Sequence, residues 1–393
     1  MFMMKKRNLT IFLIIAVLLG AGLSTAGFYV ISTDGGNYVK VSTKDYQQLT
    51  YMSQKYSKLE QLEEAIDTYY YKEVPDDDLE LGIYKGLFWG LGDIYSNYLT
   101  AEEYENMTIF TTGEFEGIGV TISATESGSI TVVSTIEGSP AQKAGLKTGD
   151  MILKVDDVDY SSSDLDIAAA AIRGKPGTSV KITYMRGEKT TEINVTRANI
   201  VNQSVKSKIL DGNIGYIQIL QFESNTDEDF QKELRDMEMK TVSGIIIDLR
   251  NNGGGIVDSG VEIADMLLPE GIITILEDRN GEGETYKSDG NCTKIPYVLL
   301  VNKGTASTSE IVASAIKDNK GGKIVGTTTF GKGVVQSITP LPDGDAIKLT
   351  IMQYLSPNRN VIDKVGVEPN YVVELIEGDE TDYQLNKALE LLK

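Results

Sequence analysis

Residues 244–255 read Gly-Ile-Ile-Ile-Asp-Leu-Arg-Asn-Asn-Gly-Gly-Gly, an apolar run of strand length that passes through Arg250-Asn251-Asn252 into three glycines. Such a run ahead of a glycine-rich loop reads as a buried strand turning toward a helix. Outward from it, Ile214 to Phe222 and Tyr297 to Val301 are further strand-length runs. Helical patterns fall at about Asp227 to Met239, near Val261 to Leu268 and from about Ser307. This alternation predicts an α/β core with helices flanking a sheet. A glycine loop after a strand can hold phosphate, but this one lacks the Lys-Ser/Thr pair of a P-loop.

Upstream the pattern changes. From Phe115 to about Val195 short β runs, among them Ile130–Val133, Met151–Val155 and Val180–Tyr184, are separated by Gly, Asp and Ser turns. Residues 45 to 105 read as helical, with Leu59, Leu62, Ala65 and Ile66 at helical spacing and Leu81, Ile83, Leu87 and Leu91 after the acidic turn Asp76-Asp77-Asp78. At the beginning, the basic cluster Lys5, Lys6, Arg7 precedes an uncharged stretch from Leu9 to Ile31 that is long enough to span a bilayer. The expectation is an uncleaved anchor over residues 8–32. Lys5, Lys6 and Arg7 then stay cytoplasmic by the positive-inside rule and the remainder lies outside the cytoplasm. The alternative is a signal segment cleaved near Ser24-Thr25-Ala26, giving a secreted chain.

Composition narrows the chemistry. The 393 residues carry 37 Lys and Arg against 57 Asp and Glu, a formal charge of −20 that disfavours nucleic acid as a partner. There is no His and one Cys, Cys292. The usual general base, every Ser-His or Cys-His mechanism, an intramolecular disulfide and most transition-metal sites are thereby removed, and no cofactor or metal is expected. A serine nucleophile in such a chain needs another base. A lysine serves if burial lowers its pKa from ~10.4 to about 7 or 8.

Two segments match that requirement. Ser307 stands in Gly304-Thr-Ala-Ser-Thr-Ser-Glu310 and Lys332 in Phe330-Gly-Lys-Gly-Val-Val-Gln336. Taken alone, Ser307 is a helix cap in a capping box with Glu310, and Lys332 is a lysine in a surface turn. Together they make a nucleophile and a base that Gly331, Gly333, Val334 and Val335 allow to be buried, with Gln336 placed to orient the amine. The glycine loop and the helix start at Ser307 offer backbone N–H groups to an oxyanion. In the β-rich segment, Gly117-Ile118-Gly119-Val120 turns consecutive N–H groups toward one point, which suits a chain-terminal carboxylate. With Gly138-Ser-Pro-Ala141 and Ala144-Gly-Leu-Lys-Thr-Gly-Asp150 following, this segment resembles a PDZ domain of the bacterial protease type, which captures C-terminal tails as an added strand.

The whole from about Tyr69 to Leu375 resembles the carboxyl-terminal processing peptidases, tail-specific Ser-Lys proteases with an embedded PDZ domain. Tyr95-Ser-x-Tyr-Leu-Thr100, Gly215-Tyr-Ile-x-Ile219, Asp248-Leu-Arg-Asn-Asn252 and Gly366-Val-Glu-Pro-Asn370 join the motifs above in the family's order. The resemblance implies Ser307 as nucleophile, Lys332 as base, Gln336 as the residue that positions the lysine, and oxyanion donors on the Gly253–Gly255 loop and the N–H of Thr308, with Gly254 chosen among the glycines. Many members carry Pro where Gly253 and Ile94 stand. Neither departure touches the nucleophile or the base.

The fold expected is therefore an α/β multidomain one. It comprises a basic end (1–7), an N-terminal membrane anchor (8–32), a linker (33–44), a small helical module (45–108), a β-rich PDZ domain (109–198), an α/β Ser-Lys protease core (199–376) and a C-terminal helix (377–393). The function expected is an extracytoplasmic serine endopeptidase cutting exported proteins near apolar C-terminal tails. Its partners are protein substrates, the membrane through the N-terminal helix, and either a second copy through the helical module or an activating protein. Arg173, in Ile172-Arg-Gly-Lys-Pro-Gly177, is a candidate reporter of tail occupancy. The competing reading is an inactive tethered PDZ scaffold in which Ser307 only caps. Retention of Lys332 and Gln336 argues against it, because a buried amine is costly to keep for no chemistry.

Overall fold

A computed structural model describes residues 41–393 apart from 126, 127, 377 and 380. The basic end and the stretch at 8–32 lie outside the described residues, and among those described no helix is long and apolar enough to cross a membrane. The chain divides into two units, residues 1–87 and 88–393.

In the first unit Ser42 caps the helix Thr43–Tyr69, its side chain accepting from Asp45 N at 3.2 Å. A second helix, Asp76–Trp89, opens on three aspartates that complement the helix dipole. Neither helix buries a residue, and Leu62 is 52% exposed, so the apolar row at Leu59, Leu62 and Ile66 is not an internal core.

The second unit begins at Phe88, earlier than the helical module expected over 45–108 would allow. The reason is long-range pairing. Strand Asn97–Leu99 runs antiparallel to residues 346–348, and the helix Ala101–Thr112, closed by a Thr100/Glu103 capping box, starts with Ala101 N donating to Asp345 Oδ1 at 2.8 Å. Local periodicity carries no trace of a partner so far along the chain.

The β-rich segment forms an antiparallel sheet ordered Val120–Ala124, Ile130–Thr135, Met151–Val155, Ser179–Arg186, Lys189–Thr196. Alternating residues of these strands, such as Ile130, Val132, Val180 and Ile182, close a core with Leu146, Ala168 and Ile172. A ribbon of Glu114–Gly117 paired with Ala198–Val201 carries the chain in and out.

The α/β part has the sheet order Val205–Leu210, Ile214–Ile219, Gly244–Asp248, Tyr297–Val301, Lys323–Gly326, Tyr371–Val372, antiparallel at the first pair and parallel thereafter. The central strands are apolar on both faces because both are covered. Ile245, Ile247 and Leu299 pack with the helices Thr226–Met239, Val257–Leu267 and Thr308–Asn319, while Ile246, Val298 and Leu300 pack with the helix Tyr383–Leu391. A second, antiparallel sheet joins Asn97–Leu99, Ala346–Leu355, Gly271–Glu277 and Thr285–Ser288, with Val334–Pro340 also pairing Ala346–Leu355.

Candidate active site

The loops at 250–255, 302–307 and 327–333 follow three strands that are neighbours in the parallel sheet, so they emerge together at its carboxyl ends. That edge is where open α/β sheets build their sites. Arg250 anchors its base: the guanidinium donates to both oxygens of Asp248, and to Asp382 Oδ1 at 2.9 Å, pinning the C-terminal helix there. Tyr216 donates to the same Asp248 at 2.6 Å.

Ser307 sits at the N-cap of Thr308–Asn319 with φ 57° and ψ −122°. A non-glycine residue at positive φ is strained, which is a common state for a nucleophile on a tight turn. Ser307 and Glu310 form a capping box, but the serine hydroxyl makes no side-chain cap hydrogen bond. The Glu310 half is firm. Its Oε2 accepts from Ser307 N at 2.9 Å and from Lys332 N at 2.8 Å, and its Oε1 accepts from Gly331 N at 2.7 Å and from the Thr329 hydroxyl. Burial pushes the Glu310 carboxyl up, against these hydrogen bonds, which favour its ionised form. The Tyr354 hydroxyl lies between two carbonyls, Ser307 O at 3.0 Å and Lys332 O, and has one proton to donate to either.

Gly254, at φ +97°, lies against Ser307. A Cβ there would stand 2.7 Å from Ser307 Cβ and 2.9 Å from Thr308 N, so only glycine fits. Its N–H, however, donates to Asn252 Oδ1 at 2.9 Å. Fully buried Asn252 also donates to Ile219 O, and its carbonyl accepts from Ala306 N and the Ser309 hydroxyl. Gly253 is exposed with open space around it. Thr308 N belongs to the first helical turn, which has no intrahelical acceptor for it.

Lys332 is half-buried, and its amine lies over the Tyr95 ring, 4.7 Å from the centroid. Burial and then the charge of Lys348 hold the amine below the ordinary lysine range, while Asp93 and Glu310 act the other way. Gly331 and Gly333 let this loop pack on 363–366: Gly333 N donates to Asp363 Oδ1 at 3.1 Å and Lys364 N to Gly331 O at 2.8 Å. The Gln336 amide nitrogen has a cross-strand partner: Nε2 donates to Thr350 Oγ1 at 3.1 Å, with a register shift between Val335 and Gln336.

In the PDZ-like sheet the carbonyls of Ile118 and Gly119 turn inward, accepting from Ala141 N and Ile136 N, and Gly119 at φ +75° leaves no room for a side chain against Ser139. Val120 opens a strand at the sheet edge, beside the helix Leu165–Ile172. Arg173, at that helix's end, donates to Asn106 Oδ1 at 3.1 Å on the helix Ala101–Thr112.

Residues 213–373 match the model of peptidase family S41, and residues 117–196 that of a PDZ domain. The chain is 37% identical over 325 residues to the carboxy-terminal processing protease CtpA of Bacillus subtilis, covering 82% of this chain and 69% of that protein. It is 38% identical over 316 residues to a carboxyl-terminal-processing protease of Synechocystis, covering 77% of this chain and 74% of that one. The chain belongs to the carboxy-terminal processing proteases of peptidase family S41. A photosystem II D1 C-terminal processing protease of solved structure is 30% identical, with a TM-score of 0.48 over 78% of this chain and 85% of that one.

The processing protease is thus a serine peptidase. Several residues at its site escape a motif reading. Glu310 shows in the sequence only as the fourth residue of a capping box. Tyr354 stands in an ordinary strand pattern, and Asp93 and Tyr95 precede the PDZ domain altogether. The sequence signal for this segment is the Tyr95-to-Thr100 motif, although Thr100 also has the local task of capping the helix Ala101–Thr112.

Proposed function

We propose that the protease uses Ser307 and Lys332 as nucleophile and base, acts outside the cytoplasm, and selects exported proteins by apolar C-terminal tails bound at Gly117, Ile118, Gly119 and Val120. The observation that carries the pairing is the tie between the two residues: one Glu310 oxygen accepts from both backbone N–H groups, and the Tyr354 hydroxyl lies against both carbonyls with one proton to share between them.

In the reaction, neutral Lys332 takes the Ser307 proton as Oγ attacks the scissile carbonyl, and the resulting oxyanion is held by Thr308 N–H together with the glycine loop. For Gly254 to serve there, its N–H must exchange Asn252 for the oxyanion. The lysine ammonium then gives its proton to the leaving amine, and the neutral amine activates water to hydrolyse the acyl-enzyme. Gln336 orients the lysine by accepting from its amine at Oε1, which the donation of Nε2 to Thr350 leaves available.

Tail capture follows PDZ logic: an extended peptide adds to the Val120–Ala124 edge with its carboxylate on the amides of 117–120. Anchoring through residues 8–32, and either self-association through the first unit or an activating partner, complete the proposal. The test is cleavage of an unfolded protein with an apolar free-acid tail. Ser307→Ala and Lys332→Arg should both be inactive, the latter because guanidinium stays protonated. Substantial activity in Lys332→Arg would remove the lysine from the role of base.

A further inference from the structure

The segment Asp93-Ile-Tyr-Ser-Asn-Tyr-Leu99 lies outside the residues matched by either family model, yet its Tyr95 ring is under the Lys332 amine. The placement is built. Asp93 accepts from Tyr95 N at 3.0 Å and from the Ser96 hydroxyl at 2.5 Å, and Ser96 Oγ accepts from Thr350 N at 2.9 Å. Asn97 pairs with Lys348 on the same strand. Thr350 is also the residue that takes the Gln336 amide, so a hydrogen-bonded chain runs from Asp93 through Ser96 and Thr350 to Gln336. The lysine amine is left to the ring.

We propose that Tyr95 and Asp93 are positioning residues for Lys332, holding its amine over the Tyr95 ring and setting the pH at which it loses its proton. This rests on the Ser-Lys reading. The face of a tyrosine ring attracts an ammonium and not a neutral amine, and a nearby carboxylate does the same, so both favour the charged form. The other groups facing this loop are Glu310 from the nucleophile helix, Lys348 from the strand Ala346–Leu355 and Asp363 against Gly333. Lys348 and burial oppose the charge, and Glu310 supports it. Hydrogen bonds from Ser96, Thr350 and Tyr95 outweigh burial and hold the Asp93 carboxyl below the usual range, so it is a fixed negative charge at working pH. The balance leaves an amine that is held while charged and released toward Ser307 once neutral.

The experiment is the pH profile of kcat/KM for the full chain on a fluorogenic peptide with a free apolar tail. Tyr95→Leu and Asp93→Asn should each move the acid limb to lower pH by roughly half a unit to one unit, because each removes a group that favours the ammonium. Tyr95→Phe, which keeps the ring face, should leave the limb in place. A second readout needs no turnover: in a Ser307→Ala background, the pH dependence of Lys332 acetylation by acetic anhydride, followed by mass spectrometry, should shift in the same direction with Asp93→Asn. If both limb and labelling curve stay where they are in Asp93→Asn and Tyr95→Leu, or if Tyr95→Phe moves them as Tyr95→Leu does, the proposal fails. Retained activity in Lys332→Ala is a different failure: it removes the Ser-Lys reading itself.

Discussion

The backbone N–H groups of Ser307 and Lys332 converge on a single oxygen, Oε2 of Glu310, at 2.9 and 2.8 Å. The two residues come from loops after different strands, and this buried carboxylate fixes their separation more directly than any contact between their side chains.

Glu310→Gln should therefore damage activity and stability together. An amide nitrogen cannot accept, so one pair of donors, either at Ser307 and Lys332 or at Gly331 and Thr329, loses its partner. Each orphaned buried group costs about 1–3 kcal/mol. Displacement of the lysine loop by an ångström should lower kcat roughly 10²-fold. Chemical denaturation and steady-state kinetics on the same preparation check both.

Gly254→Ala and Gly253→Ala form a matched pair. The first places a methyl within 3 Å of Ser307 Cβ and the Thr308 nitrogen at positive φ, and kcat should fall by roughly 10²-fold or more. The second meets open space and should leave kcat within a few-fold of the parent, by the usual tolerance of exposed sites. Equal effects at both positions would show that the loop does not contact the nucleophile in solution.

Lys332 makes stability pH-dependent with a definite sign. Its folded pKa is depressed, chiefly by burial, whereas the unfolded chain keeps a lysine protonated up to about 10.5. Between those two values the unfolded state binds more protons, so stability contributed by this site rises with pH there and is reduced below the folded pKa. Urea titrations from neutral to mildly alkaline pH should show that rise, and Lys332→Met should flatten it. Turnover should climb through the folded pKa and level off above it, while stability goes on rising toward the unfolded value.

Tail selection is open to a chemical test. If the amides of 117–120 bind a carboxylate, amidating the tail should weaken cleavage markedly, because a charge-assisted contact exceeds a neutral one. Gly119→Ala should act similarly from the protein side, since its Cβ would stand 2.4 Å from Ser139 Cβ. Identical cleavage of amidated and free-acid tails would remove the carboxylate from recognition.

Much of the architecture was legible in sequence because it is local. Strands at Met151–Val155 and Tyr297–Val301, the helix after Ser307 and the glycine loop after Asp248 follow from short-range pattern and backbone preference. The absence of histidine points to lysine as the alternative base for a serine, and Lys332 between two glycines is legible as a candidate. What the sequence by itself could not determine was each group's partner. Gln336 bonds Thr350 because the strand register sets them opposite, and the Gly254 N–H turns to Asn252 because the loop is folded under the nucleophile. Asp93 and Tyr95 reach Lys332 only because Asn97–Leu99 pairs with residues 346–348. Hydrogen-bond choice and cross-strand register depend on contacts far apart in the chain, which local propensity does not encode, so the tertiary structure alone decided them.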